Sequence, residues 1–101
     1  MIPVITEKLD GIHELCRQFK VRQLILFGSA VDGSFIPEQS DIDLLVEFDS
    51  IQESLAVVFF DFKNALENLL HHKIDLILIG TIKNPYILTT VHNAQELLYA
   101  A

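Results

Sequence analysis

The sequence predicts an α/β protein in which a mixed β-sheet of about four strands is flanked by helices. Two observations lead to this fold class: segments with helical spacing of apolar residues alternate with short apolar runs, and glycines or polar residues separate them. The chain has 101 residues, which suffices for one domain with one modest hydrophobic core. We therefore expect a single domain over residues 1–101.

Two long segments show the apolar spacing of helices. Residues 6–19 carry apolar side chains about one turn apart, and Thr6 is suited to the N-cap; the apolar positions are Leu9, Ile12, Cys16 and Phe19. A longer segment, from about residue 52 to residue 70, follows Ser50 and Glu53, which together would form a capping box. These segments predict one helix before the first strand and another between later strands.

Short apolar runs between the helices predict the strands. Residues 23–27, 41–48 and 73–79 read QLILF, DIDLLVEF and KIDLILI, and glycine follows the first and the third run. An Asn-Pro pair then predicts a helix over about 84–91, with proline at its first position. The final segment, AQELLYA, fits either a last helical turn or an edge strand, and we favour a short strand.

The composition argues against several classes of function. A net charge of −7 does not suit broad nucleic-acid binding, which needs Lys and Arg to neutralise phosphates. Such a chain can still bind a polyphosphate through a metal ion, or a basic protein partner, although acidity also simply keeps many domains soluble. No apolar run approaches the ~20 residues of a membrane span, and the N-terminus lacks the pattern of a signal peptide. With Cys16 as its single cysteine the chain forms no internal disulfide, and we expect a cytoplasmic protein that binds neither membrane nor nucleic acid directly.

Three aspartates stand at or inside the apolar runs. Asp41 and Asp43 open the second strand, and because residues two apart share a face, their carboxylates could converge on one metal site. Asp75 lies inside the third strand, where an unpaired carboxylate would cost several kcal/mol unless a cation compensates it. Oxygen ligands of this kind suit Mg²⁺. The three aspartates therefore indicate a magnesium site.

A D-x-D pattern alone is weak evidence in a chain with 14 acidic residues. Asp41 could instead cap a loop, Asp43 could be solvated at a strand end, and Asp75 could lie at a sheet edge. A second element favours the metal site, because Gly28 and Ser29 directly follow the first strand. Glycine allows a ligand to approach the backbone, and a short helix that began at Ser29 would present N–H groups to an anion. Phosphate donors and carboxylates together would suit a magnesium-bound triphosphate.

The run from Leu26 to Phe48, LFGSAVDGSFIPEQSDIDLLVEF, resembles the signature of the DNA polymerase β-like nucleotidyltransferase superfamily. That signature is a strand, Gly-Ser, about ten residues, and D-x-D at the start of the next strand. Asp75 in KIDLILI matches its third carboxylate. The chain length and the tail NPYILTTVHNAQELLYA look most like the minimal nucleotidyltransferases (MNT), which are commonly encoded beside a HEPN-domain partner. The resemblance implies the small nucleotidyltransferase fold.

The family implies a role for each matching position. Gly28 and Ser29 would hold the phosphates of the nucleotide. Asp41 and Asp43 would bind magnesium, and Asp75 would join the metal site and help to activate the attacking hydroxyl. Two Mg²⁺ ions are expected, because two cations stabilise the attacking and the leaving oxygens of such a displacement. ATP would be the substrate.

Two features depart from the family pattern. The spacer between Ser29 and Asp41 holds eleven residues, 30–40, where ten are usual. Asp32 stands where members often carry an arginine. A negative charge at that position bears on nucleotide affinity and on turnover, but not on the fold.

The family implies an antitoxin that transfers AMP from ATP to a tyrosine of a HEPN ribonuclease toxin. Little sequence follows the third strand, so we expect the partner to bring the acceptor. Two alternatives remain open: a weak or inactive enzyme that neutralises its partner by binding alone, and a component of a small-molecule nucleotidyltransferase. A homo-oligomer is compatible with the sequence, which defines no interface.

Overall fold

The computed structural model describes residues 2–32, 36, 41–49, 54–79 and 95–101, without the side chains of Ser29 and Asp32. The elements follow the alternating order that the sequence predicts. They are, in chain order, α1 (Pro3–Glu7), α2 (Leu9–Gln18), β1 (Val21–Phe27), α3 (Ser29–Asp32), β2 (Ile42–Phe48), α4 (Leu55–Leu70), β3 (Ile74–Leu78) and β4 (Gln95–Ala100).

The strands form one mixed four-stranded sheet in the order β3-β2-β1-β4. Strand β1 is antiparallel to both β2 and β4, whereas β2 and β3 are parallel. The parallel pair is joined through α4, which supplies the crossover that parallel strands require. The predicted fold class and the assignment of the tail as a strand are both confirmed, since β4 pairs with β1 at the edge of the sheet.

The first predicted helix differs from the observed one. The segment 6–19 was expected to form one helix capped by Thr6, but the chain forms two helices, and the first begins at Pro3. Proline suits this position, because its fixed φ is already helical and the first N–H needs no partner. Thr6 lies inside α1, where its hydroxyl donates to the carbonyl of Ile2 at 3.4 Å. Lys8, with φ −108° and ψ 12°, separates α1 from α2.

Helix α4 begins at Leu55, later than the predicted start near residue 52. Its N-cap is Ser54, whose side chain makes no capping hydrogen bond. The predicted capping box and the predicted helix over 84–91 lie outside the described residues. The helix ends at Leu70, and the C-cap residue His71 adopts a left-handed conformation with φ 54° that turns the chain towards β3.

The hydrophobic core lies between the helices and one face of the sheet. Alternate strand residues point into it, while α2 and α4 cover that face. Its largest members are Phe62, Ile5, Ile12, Leu24, Leu26, Ile42, Leu44 and Leu66. Cys16 is fully buried there, as expected of a small core residue. None of the described helices is long and apolar enough to span a membrane.

Three phenylalanines on α4 point in different directions, as their spacing predicts. Phe62 is fully buried and its ring packs against Phe19 and Phe48 at centroid distances of 5.5 and 5.8 Å. Phe59 is partly buried against the core, whereas Phe60 is 60% exposed. One helix cannot turn three such closely spaced side chains inward, so Phe60 remains on the surface.

Candidate active site

The predicted site residues meet where β1 ends and where β2 and β3 begin. Asp43 is the register partner of Phe27 in the antiparallel pair and of Asp75 in the parallel pair. Registered neighbours point to the same face of a sheet, so Asp43 and Asp75 lie side by side on the face away from the helices. The structure therefore brings together two aspartates that are 32 positions apart in the sequence.

Gly28 lies directly against this pair. Its φ is +73°, a conformation that side chains disfavour, and a Cβ built on it would collide with Oδ2 of Asp43. Only glycine lets the end of β1 approach the Asp43 carboxylate so closely. Helix α3 then begins at Ser29, and its first turn is closed by the Val31 N–H donating to the Gly28 carbonyl at 3.0 Å.

Among the carboxylates that the structure describes, Asp43 has the most strongly raised pKa. Its pKa is raised from 3.8 to about 6, most strongly by burial and then, in decreasing order, by the charge of Asp75, a hydrogen bond with Asp75 and the charge of Asp41. The charges of Asp75 and Asp41 therefore both act on Asp43. A cation at this place would relieve both the burial and the repulsion.

Asp75 differs from the sequence-based expectation. It was expected to be enclosed within an apolar strand, but its side chain is exposed. The reason is that β3 is an edge strand of the described sheet and Asp75 faces away from the helices. This agrees with the alternative that placed Asp75 at a sheet edge. The desolvation that was expected at Asp75 occurs at Asp43 instead.

Asp41 lies just before β2, and its side chain is 42% exposed. A cation lies beside it, because the ammonium nitrogen of Lys73 is 3.9 Å from Oδ2 of Asp41. Lys73 precedes the first residue of β3 just as Asp41 precedes the first residue of β2. Parallel pairing of the two strands thus brings these residues together.

Two hydrogen bonds hold the start of β3, one to β2 and one to α4. The Ile42 N–H donates to the Lys73 carbonyl at 3.1 Å, and the Ile74 N–H donates to Oε2 of Glu67 on α4 at 3.0 Å. The Ile74 bond is the main reason why the pKa of Glu67 is lowered, and Lys63, 3.2 Å away, adds to it. Sequence analysis missed both Glu67 and Lys73. The i,i+4 spacing of Lys63 and Glu67 could have indicated Glu67. The two-residue spacing from Lys73 to Asp75 could have indicated Lys73.

The carboxylate oxygens suit a magnesium ion whose coordination shell is completed by the substrate. Within the described part of the chain, no three carboxylate, imidazole or thiol groups form a cluster that could enclose a metal ion. Mg²⁺ does not need such a cage, because it usually takes one or two carboxylates and fills its shell with water and substrate phosphates. Asp43 and Asp75, with Asp41 beside them, offer oxygen donors whose mutual repulsion favours a cation.

Comparison with known proteins places the chain in a family. The model of the nucleotidyltransferase domain matches residues 11–98, which include every predicted site residue. The chain belongs to the nucleotidyltransferase family. This nucleotidyltransferase is 39% identical over 85 residues to a Methanocaldococcus jannaschii protein inferred to be a protein adenylyltransferase, covering 84% of this chain and 82% of the relative. It is 35% identical over 89 residues to the protein adenylyltransferase MntA of Thermococcus cleftensis, covering 83% and 87%.

Solved structures show the same fold. A structure described as a minimal nucleotidyltransferase superposes with a TM-score of 0.74 and 25% identity, over 91% of this chain and 90% of that one. A complex of a tri-AMPylated Shewanella oneidensis HEPN toxin with its MNT antitoxin contains a chain that superposes with a TM-score of 0.66 and 19% identity, over 95% and 72%. The resemblance read from the Gly-Ser and D-x-D pattern is thereby confirmed, and the fold is that of a small nucleotidyltransferase.

Proposed function

We propose that this nucleotidyltransferase transfers AMP from ATP to a side chain of a protein partner in a Mg²⁺-dependent reaction. We infer that the acceptor is a tyrosine of a HEPN ribonuclease toxin and that the chain acts as its antitoxin. Support comes from the relatives, one of which is the protein adenylyltransferase MntA, and from the fold shared with an MNT antitoxin that was solved with an AMPylated HEPN toxin.

One observation carries the proposal: Asp43 lies between the side-chain-free Gly28 and the carboxylate of Asp75. A sheet with a purely structural role would not be stabilised by a half-buried carboxylate next to a second carboxylate. The arrangement costs stability in the protein alone, since the pKa of Asp43 is raised to about 6. Such a cost is typical of sites where a bound cation and its phosphates later compensate the charge.

The chemistry is a displacement at the α-phosphorus of ATP. The acceptor oxygen forms a bond to that phosphorus, the bond to the bridging oxygen breaks, and pyrophosphate leaves. Asp41 and Asp43, with Asp75 beside them, would hold the Mg²⁺, which when bound neutralises charge on the phosphates. Asp75 would take the proton of the acceptor hydroxyl, because it is exposed on the side from which a protein partner can approach.

Gly28 and Ser29 would receive the phosphates of the nucleotide. The missing side chain at Gly28 leaves its backbone close to the carboxylate of Asp43, so a phosphate bound near that carboxylate could also reach the backbone. Helix α3 turns the chain away directly after this point. The two residues would therefore bind phosphate through the main chain.

The test is transfer of label to the protein encoded by the gene adjacent to that of this chain. The full chain, the partner and Mg²⁺ are incubated with ATP labelled either on the α-phosphate or on the γ-phosphate. We expect covalent label on the partner from α-labelled ATP only. No label is expected when the reaction is run with EDTA in place of Mg²⁺. Label from the γ-phosphate instead would identify a kinase and contradict the proposal.

A matched pair of variants separates the site from general effects. Asp43→Asn removes the central carboxylate and is expected to abolish transfer, whereas Asp61→Asn removes an exposed carboxylate on α4 and should leave it unchanged. Circular dichroism should show that both variants are folded. A stable complex without any label would instead support an antitoxin that acts by binding alone. Label on a small hydroxyl or amine compound without any protein partner would support the small-molecule enzyme.

A further inference from the structure

Cationic side chains are scarce around the proposed site. The chain has seven Lys and Arg residues, and none of them lies between Arg22 and Lys63 in the sequence. This stretch contains the whole run from Gly28 to Asp43, which supplies most of the site. A triphosphate adds several negative charges to three aspartates. Any positive side chain that helps to bind it must therefore come from another part of the chain.

Lys73 is placed to do so. Its ammonium nitrogen lies 3.9 Å from Oδ2 of Asp41, which is an ion pair but too long for a hydrogen bond. The side chain is 76% exposed, and an ion pair between such exposed groups is weak. The ammonium group can therefore leave Asp41 for a more strongly charged ligand at little cost.

The main chain of Lys73 is held by hydrogen bonds, whereas its side chain is largely exposed. Its carbonyl accepts the Ile42 N–H at 3.1 Å, and the next N–H, that of Ile74, is held by Glu67 at 3.0 Å. These bonds anchor the residue to β2 on one side and to α4 on the other. The lysine thus starts from a defined point beside the aspartates, and only its flexible stem has to be ordered when it binds a ligand.

The other described cations lie elsewhere. Three of them pair with carboxylates away from the site: Arg17 with Glu14, Arg22 with Asp49, and Lys63 with Glu67. Over residues 2–32, 41–49, 54–79 and 95–101, Lys73 is the one cation that forms an ion pair with Asp41, Asp43 or Asp75. Lys83 lies outside the described residues.

We propose that Lys73 binds the β- and γ-phosphates of the nucleotide, an inference that rests on the proposed function. The reacting α-phosphorus has to lie near Asp43 and Asp75, where an acceptor can be deprotonated. Asp41 and Lys73 lie just before the first residues of β2 and β3. Phosphates that extend from Asp43 past Asp41 would therefore reach the ammonium group of Lys73. Lysine is an effective point charge for phosphate, and its N–H groups would donate to phosphate oxygens.

Direct binding tests this role without depending on turnover. Calorimetry of the full chain with Mg-ATP and with AMP is compared for the wild type, Lys73→Met, Lys73→Arg and the control Lys20→Met. Lys20 is exposed at the opposite end of β1 from Gly28, and its replacement changes the net charge equally. We expect Lys73→Met to weaken Mg-ATP binding about ten- to a hundredfold, the size of a hydrogen bond between charged groups, and to change AMP binding less than about threefold. Lys73→Arg should retain most of the affinity.

The outcomes separate this inference from the proposed function. If Lys73→Met binds Mg-ATP as the wild type does, or loses no more affinity than Lys20→Met, Lys73 does not bind the phosphates. Equal weakening of ATP and AMP binding would also overturn it, because AMP lacks the β- and γ-phosphates. A wild type that binds Mg-ATP in a Lys73-dependent way but transfers no label would retain this inference and overturn the proposed transfer. A wild type that binds no Mg-ATP would overturn both.

Discussion

Replacement of Asp43 by Asn should stabilise the metal-free protein at neutral pH, against the usual effect of a mutation at a half-buried position. Burial and the charges of Asp75 and Asp41 raise the pKa of Asp43 from 3.8 to about 6. Its ionisation therefore opposes folding. Asparagine has nearly the same shape, carries no charge and can donate a hydrogen bond to Asp75. The variant removes the repulsion without leaving a cavity.

The magnitude follows from the pKa. A difference of one in pKa corresponds to about 1.4 kcal/mol, so the change at Asp43 corresponds to about 3 kcal/mol. Asp43 is only partly buried and water screens part of the interaction, which reduces the expected effect to about 1–2 kcal/mol. In a domain of this size, each kcal/mol raises the melting temperature by about 4–8 °C.

The pH dependence has a defined sign. The carboxyl of Asp43 ionises near pH 3.8 in the unfolded chain and near pH 6 in the folded protein, so the folded state binds the proton more tightly. The cost of ionisation is absent below pH 3.8, grows as the pH rises, and is complete above pH 6. The advantage of Asp43→Asn over the wild type should therefore be near zero at pH 4 and full at pH 7.5.

The assay is urea unfolding in EDTA at both pH values, with Asp61→Asn as the control for loss of one exposed carboxylate. Wild type and Asp43→Asn are then compared again with Mg²⁺ added. We expect Mg²⁺ to stabilise the wild type and not the variant, because the ion compensates the carboxylate that the variant lacks. An Asp43→Asn protein that is no more stable than the wild type at pH 7.5, or that is equally stabilised at pH 4, would show that ionised Asp43 does not destabilise the fold.

Two further predictions concern the packing around this site and the core. Gly28→Ala should lower the free energy of unfolding by about 1–3 kcal/mol and displace Asp43, because the φ of +73° disfavours a side chain and the new Cβ would meet the carboxylate. The control Gly11→Ala, whose Cβ would meet only the side chain of Leu69 at 3.0 Å, should change stability by less than about 1 kcal/mol in the same urea assay. Burial raises the pKa of the Cys16 thiol to about 12, so a thiol reagent should modify it at pH 8 only after unfolding. Rapid labelling of the folded protein would contradict that burial.

The fold class and the main strands could be predicted because they depend on local patterns. Apolar runs of the right length, the glycine after β1 and the helical spacing in α2 and α4 all act over a few residues. Boundaries were less predictable, since Pro3 starts α1 earlier than Thr6 could indicate and Ser54 replaces the expected cap of α4. A boundary depends on which of several acceptable residues the surrounding packing favours.

The sequence by itself determined the type and spacing of the groups at the site: Gly28 after one apolar strand, and Asp41 and Asp43 at the start of the next. Tertiary structure alone decided which of these groups carries the electrostatic cost. Pairing of β2 with β3 places Asp75 beside Asp43 on an edge strand, so that Asp75 is exposed and Asp43 is desolvated. The same pairing brings Lys73 to Asp41. Such effects depend on distances and burial between segments far apart in the chain, and no local pattern of residues specifies these quantities.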